Sequence, residues 1–278
     1  MKFEIIHRTT FQYASPVRDS FNEARLQPFS NENQSVDEFL LKVLPAARLQ
    51  HHHDFYSNTI HRFEITEPHS TLLVESRLRV TTRLPAWPGL DATPWPLARI
   101  GEALLEPRVF DFLQDSHYIE TSPEVWRMAL DATAGVTDTW QASLALLRFI
   151  FANFKYESHS TSVHTHMHEV LAERRGVCQD FAHVMIGLCR ALKIPALYVS
   201  GYLATEIASA THAWVEILLP GTGWIGLDPT HNRPVDDTYV KIAVGRDYAD
   251  VPPVAGHYKG TTNRQLDVKV DIRRLDPS

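Results

Sequence analysis

The chain of 278 residues is 44% hydrophobic and 22% charged, a globular composition that excludes wholesale disorder. Its 27 Lys and Arg stand against 33 Asp and Glu, a net of -6. This mild acidity, without any basic run, excludes the electropositive footprint of a nucleic-acid or acidic-lipid binder, so neither nucleic acid nor membrane is an expected partner.

From the N-terminus, MKFEIIHRTTFQY has no apolar core or small-residue cleavage site of a signal peptide, and no later stretch approaches the roughly 18 apolar residues of a bilayer span. The expected location is cytoplasmic. Residues 1–84 predict an all-β, sandwich-like domain: KFEIIHRTTFQY, VDEFLLKVL, TIHRFEIT and TLLVESRLRVTT carry β-branched and aromatic residues in partial alternation. Turn-rich pieces such as SNENQS and HHHDFYSN separate them. His51, His52, His53 and Asp54, and further on His164, His166 and His168, resemble metal ligands on paper, but neither set has the spacing of a closed zinc site. Solvated histidines are the expectation, and no metal or cofactor is called for.

Residues 85–96, PAWPGLDATPWP, hold four prolines and a glycine and predict a linker. From 97 to 278 a second domain is expected. Ser122 can cap a helix over SPEVWRMALDAT with Pro123 in its first turn, and DTWQASLALLRFIFANF reads as a buried helix. The last third returns to strands in ALYVSGYL, THAWVEILL, GWIGLDPT, TYVKIAV and LDVKVDIRRL.

The stretch RRGVCQDFAHVMIGLCRALKIP carries the chemistry. Phe181, Met185, Leu188 and Leu192 share one face of a helix, and Cys178 lies on that face in its first turn, just after Gly176. Free N–H groups and the positive end of the macrodipole favour a thiolate there and could bind a developing oxyanion. By position alone, a small buried hydrophobe is the commoner state of such a cysteine. Cys189 lies eleven residues further along the same helix, about 16 Å away by helical rise, too far for a disulfide, and reads as core.

A thiol nucleophile needs a base and an orienting acid. THAWVEILL and GWIGLDPT form a hairpin about Pro220, which predicts His212 and Asp228 directly opposite each other on one face. A slip of one residue would separate them, and each alone reads as an ordinary strand histidine or a turn aspartate. The Gly221–Gly226 match to GxGxxG follows no strand-to-helix turn and carries no dinucleotide site.

GVCQDFAHVMIGLCRALKIPALYVSGYL followed by THAWVEILLPGTGWIGLDPTHN closely resembles the core of the transglutaminase-like superfamily. The first eighty residues resemble the N-terminal domain of its bacterial branch, and GRDYADVPPVAGHYKG its C-terminal segment. The resemblance implies an α+β, papain-like fold with the cysteine helix packed on an antiparallel sheet. It implies Cys178 as nucleophile, His212 as base and Asp228 as acid, acting on an amide of a protein or peptide. Asp180 also matches the motif. Relatives include proteases, amidases and cross-linking acyltransferases, so hydrolysis and amine transfer both remain, with a non-catalytic binding module as a third reading. The short connection from Ala204 to Thr211 favours hydrolysis, because it offers little bulk to exclude water. Trp214, Trp224, Tyr202 and Tyr248 are candidate walls of a substrate groove, and Tyr156 a candidate hydroxyl for the oxyanion. One departure falls in DFYSN, where Ser57 stands in place of the family's more usual glycine.

Overall fold

The computed structural model describes residues 1–85, 95–98, 100, 107–158, 160–204 and 209–275, so most of the proline-rich linker lies outside the described residues. Strand β1 (Lys2–Gln27) is followed by β2 (Gln34–Leu44), β3 (Gln50–His53), β4 (Thr59–Ile65) and β5 (His69–Thr82). Burial alternates residue by residue along the first half of β1, as one covered sheet face requires. Its pairing with β5 breaks between Gln12 and Val17, and Asp19 adopts φ of 48°. Beyond that irregularity β1 pairs with β4 instead. One long strand thus serves both halves of a curled antiparallel sheet, which close over Phe11, Val17, Leu26, Leu41, Phe63 and Val74.

Next come α1 (Pro107–Phe110), α2 (Pro123–Ala132), α3 (Thr139–Asn153), β6 (Lys155–Tyr156), α4 (Met167–Glu173), β7 (Arg175–Gly176) and α5 (Cys178–Ala191). Ser122 Oγ accepts from Val125 N at 3.3 Å and Asp138 Oδ1 from Gln141 N at 3.0 Å, so α2 and α3 start on side-chain caps. A second antiparallel sheet follows: β8 (Ala196–Ala204), β9 (Ser209–Leu219), β10 (Gly223–Asp228), β11 (Arg233–Pro234) and β12 (Tyr239–Gly245), in the order β11-β10-β9-β8-β12. Helix α5 packs on β8 and β9 with α2, α3 and α4 around it, giving the expected α+β arrangement.

Two expectations need correction. Helix α5 is buried from Gln179 through Arg190 on every side, not along one face. Its polar members have internal partners. The Arg190 guanidinium, fully buried, donates to the carbonyls of Phe112, Gln114, Ala196 and Arg246 and to Ser116 Oγ. The second correction concerns the domain boundary. The last strands, β13 (Val254–Lys259) and β14 (Arg264–Arg274), do not join the sheet under α5 but pair with β1 in the first sheet. Phe3, Ile5, Leu78 and Val80 of that sheet share one core with α5 and β9.

Two buried side-chain amides bind the halves together. Gln34 donates to Lys241 O at 2.7 Å and accepts from Lys241 N at 2.9 Å. Asn58 does the same at Val244, at 2.7 and 2.8 Å. Asn58 is aimed by a turn in which Asp54 Oδ1 accepts from Tyr56 N and Asn58 N, and Ser57 sits at φ of 68°. That left-handed conformation explains the usual glycine. The same bonds make Asp54 a turn residue engaged by backbone.

Candidate active site

Cys178 is the first residue of α5 and is partly exposed. The chain enters this helix from β7, whose parallel pairing with β6 sets Gly176 beside Tyr156. Asp180, completely buried, turns its Oδ2 back to accept from Val177 N at 2.7 Å and from Thr161 Oγ1 at 2.6 Å. Burial nonetheless raises its carboxyl above the ordinary value. A Cβ at Gly176 would come within 2.7 Å of that oxygen, so the close approach requires glycine. Asp180 therefore fixes the first turn that carries Cys178.

His212 lies on β9 opposite Gly201 of β8. The β9–β10 hairpin turns about Gly221, not Pro220: Gly223 faces Leu219 and Leu227 faces Val215. One step further sets Asp228 level with Trp214, two residues from His212. The expected direct opposition is thus replaced by a diagonal. A shift of two keeps both side chains on one face, whereas a shift of one would have parted them.

The contacts across that diagonal are close. His212 Nε2 and Asp228 Oδ2 are 2.7 Å apart. His212 and Cys178 line one cleft, close enough that the thiol acts on the titration of the ring. Asp228 is fully buried, and its Oδ2 also accepts from His231 Nδ1 and Tyr239 Oη, each at 2.7 Å. Its Oδ1 accepts from Thr230 N at 2.8 Å and His231 N at 3.3 Å. Burial alone would push this carboxyl up, but the bonds from His212, His231 and Tyr239 hold it well below the usual carboxylate range. Burial likewise opposes a charge on His212, yet Asp228 and Cys178 outweigh it and raise the imidazole to about 10. The arrangement stabilises an imidazolium beside the thiol. Cys189, wholly buried, is pushed up to about 12 by desolvation.

His231 and Tyr239 were not anticipated. The Asp-Pro-Thr-His run carried a signal for the first, since a turn brings residue i+3 back over Asp228. Tyr239 arrives from β12, eleven residues on, with no local cue. The ligand atoms of His212, Asp228 and His231 lie within 4.8 Å of one another, a spacing that could hold a metal ion. The 2.7 Å contacts among them are those of shared protons.

The aromatic candidates divide. Tyr248 lines the cleft at Cys178, a concavity of about 620 Å³. Tyr156, half-exposed, packs its ring edge on Phe181 near the thiol. Tyr202 is in the core, bonded through its hydroxyl to His7 Nδ1 at 2.8 Å. Trp214 is buried against Tyr239, and Trp224 packs on Phe112 beside it, so neither walls the cleft. Strand neighbours of a catalytic-looking residue have core to fill, and these three do so. His164 reaches the cleft with Nδ1 3.4 Å from Tyr118 Oη, while His166 precedes α4 and His168 lies in it. Residues 205–208 of the connection before His212 lie outside the described residues.

Residues 127–229 match the profile of the transglutaminase-like superfamily, and residues 3–81 that of the bacterial transglutaminase-like N-terminal region. An uncharacterized protein of Mycobacterium leprae is 32% identical over 282 residues, covering 99% of each chain. The crystal structure of a candidate cysteine protease from Cytophaga hutchinsonii superposes with a TM-score of 0.80 at 28% identity, over 100% of this chain and 92% of that one. A protein-glutamine gamma-glutamyltransferase of Pseudomonas aeruginosa is 38% identical over 68 residues, which is 21% of this chain and 10% of that protein.

Proposed function

Because the chain belongs to the transglutaminase-like superfamily, we propose that it is a cysteine hydrolase of peptide or protein amides, with Cys178, His212 and Asp228 as its catalytic residues. The observation that carries this reading is the buried 2.7 Å contact of His212 Nε2 with Asp228, in a ring that lines one cleft with Cys178.

The chemistry follows from that order. The Cys178 thiolate adds to the amide carbonyl, and the N–H groups of the first turn of α5, which have no intrahelical partners, face the developing oxyanion. The C–N bond breaks as the His212 imidazolium passes its Nδ1 proton to the departing amine, leaving a thioester. Water then adds, its proton taken by neutral His212, and the acid leaves as the thiol is restored. Throughout, Asp228 accepts from Nε2–H and holds the ring in one tautomer. The Cytophaga likeness over the whole chain favours hydrolysis; the Pseudomonas transferase likeness, over a fifth of it, is what favours amine transfer.

Iodoacetamide at pH 6 tests the nucleophile: Cys178 is expected to be modified while Cys189 is spared, and His212→Ala to remove the selectivity. Equal labelling of both cysteines would overturn the reading. A casein digest with and without a millimolar primary amine separates the two reactions. Free acid as the main product in both tubes is the expected result; an adduct that grows with amine concentration replaces hydrolase by transferase.

A further inference from the structure

The cleft at Cys178 has a second wall that the catalytic residues do not account for. It is formed by the first sheet, through His7, Thr9, Phe11 and Tyr13 of β1 and Arg264, Leu266 and Val268 of β14. The four β1 residues alternate along the strand and so share a face. The same face begins with Phe3 and Ile5 in the common core, then turns polar at His7 and Thr9 although both are buried. His7 is held with both ring nitrogens engaged, by Tyr202 Oη at 2.8 Å and Thr9 Oγ1 at 3.0 Å. Both residues line the cleft, with the His7 ring nitrogens bonded internally to Tyr202 and Thr9.

Charge marks this cleft further. In a chain of net -6, no Asp or Glu stands among the described residues that line it, and Arg264 is their one Lys or Arg. Arg264 is exposed, stacks over Phe11 with its guanidinium carbon 5.3 Å from the ring centre, and has no ion pair among the described residues. It pairs with Tyr13 across the β1–β14 ladder. At about 3.3 Å per residue, the wall from His7 to Tyr13 is about 20 Å long, room for some six extended residues. Leu266 and Val268, 54% and 45% exposed, leave apolar surface uncovered beside it.

We propose that the first sheet is the specificity wall of this enzyme, and that it selects apolar peptide segments bearing a carboxylate, which Arg264 binds. The proposal rests on the reading of Cys178 as the nucleophile, but its selectivity is read separately. A guanidinium held over an aromatic ring still presents N–H donors for bidentate pairing with a carboxylate, and no Asp or Glu among the described lining residues competes for them.

The test measures the rate at which iodoacetamide alkylates Cys178 in the full-length protein at pH 6, with peptide pools as protectants. Three pools of apolar hexapeptides are compared at equal millimolar concentration: free C-terminal acids, the matching C-terminal amides, and amides with one internal glutamate. The acids are expected to slow alkylation at least about fivefold more than the amides, the order of one charge-assisted pair. Arg264→Gln should erase the difference and Arg264→Lys restore part of it. Protection by the glutamate pool would extend recognition to acidic side chains, and its failure would confine it to chain ends; either supports the carboxylate. Equal protection by acids and amides, no protection by any pool, or a preference that survives Arg264→Gln would overturn the proposal. Loss of the Cys178 over Cys189 selectivity in the unprotected control would instead count against the nucleophile, whatever the pools do.

Discussion

Replacing Asp228 by Asn keeps the shape of the side chain and removes its charge. In the wild type, the rise of His212 from 6.5 to about 10 corresponds to about 5 kcal/mol of preference for the imidazolium, at about 1.36 kcal/mol per unit. His212 is only 9% exposed, so solvent screens little of this. Asp228 and Cys178 share the effect, and attributing about half to Asp228 gives a loss of about 2–3 kcal/mol, or about 30- to 150-fold in the population of the reactive pair. An amide makes matters worse. Oδ2 takes three donors and Oδ1 takes two, so the new NH2 meets donors in either orientation. Each donor left buried and unpaired costs about 1–3 kcal/mol of stability. The assay is the rate of Cys178 alkylation by iodoacetamide at pH 6, read by mass spectrometry on protein whose fold is confirmed by circular dichroism. If Asp228→Asn reacts at the wild-type rate while His212→Ala is slow, the carboxylate does not act through the imidazole and the reasoning fails.

Stability should depend on pH through the same pair. A folded value of about 10 against an ordinary 6.5 means that the stabilisation from charged His212 is complete below about pH 6.5 and is lost as pH rises towards 10. The melting temperature of wild type should fall across that window by more than that of His212→Ala. Gly176→Ala places a Cβ 2.7 Å from Asp180 Oδ2, so it should loosen the first turn of α5, lower stability by about 1–3 kcal/mol and slow Cys178 alkylation. A normal rate in a folded variant would show that Asp180 does not set the position of Cys178. Ser57→Gly relieves a φ of 68° and should raise stability by about 0.5–1 kcal/mol in urea melts; a decrease would mean that the loss of chain freedom outweighs the strain.

The three residues at the centre of the site were legible because their chemistry is carried by short runs: a cysteine after Gly-Val at a helix start, a histidine and an aspartate on one hairpin. The hairpin register was misread by two because the turn residues Pro220, Gly221 and Gly223 admit more than one centre. Parity survived, and with it the pairing. Tyr202 and Trp214 were misplaced for a different reason. Proximity in sequence to His212 says nothing about which aromatic rings the core needs, and both filled it. The return of β13 and β14 to β1 was illegible, since pairing across some 250 residues leaves no local pattern. Helix α5 looked amphipathic because Asp180, His183 and Arg190 are polar, while their partners sit in segments far away in the chain.

The two amides that grip β12 bear on how the chain comes together after synthesis. Strand β12 is the terminal strand of its sheet, and a bare terminal strand is a template for pairing with a neighbouring molecule. Gln34 and Asn58 occupy its backbone at Lys241 and Val244, as a partner strand would, with side chains alone. These anchors come from the first sixty residues, so they are made long before the strand they protect. A fragment begun after the linker would carry Cys178, His212 and Asp228 and lack this cover, and it should self-associate through β12. On that outcome the first sheet serves its own chain as a covalently attached cover, present ahead of need.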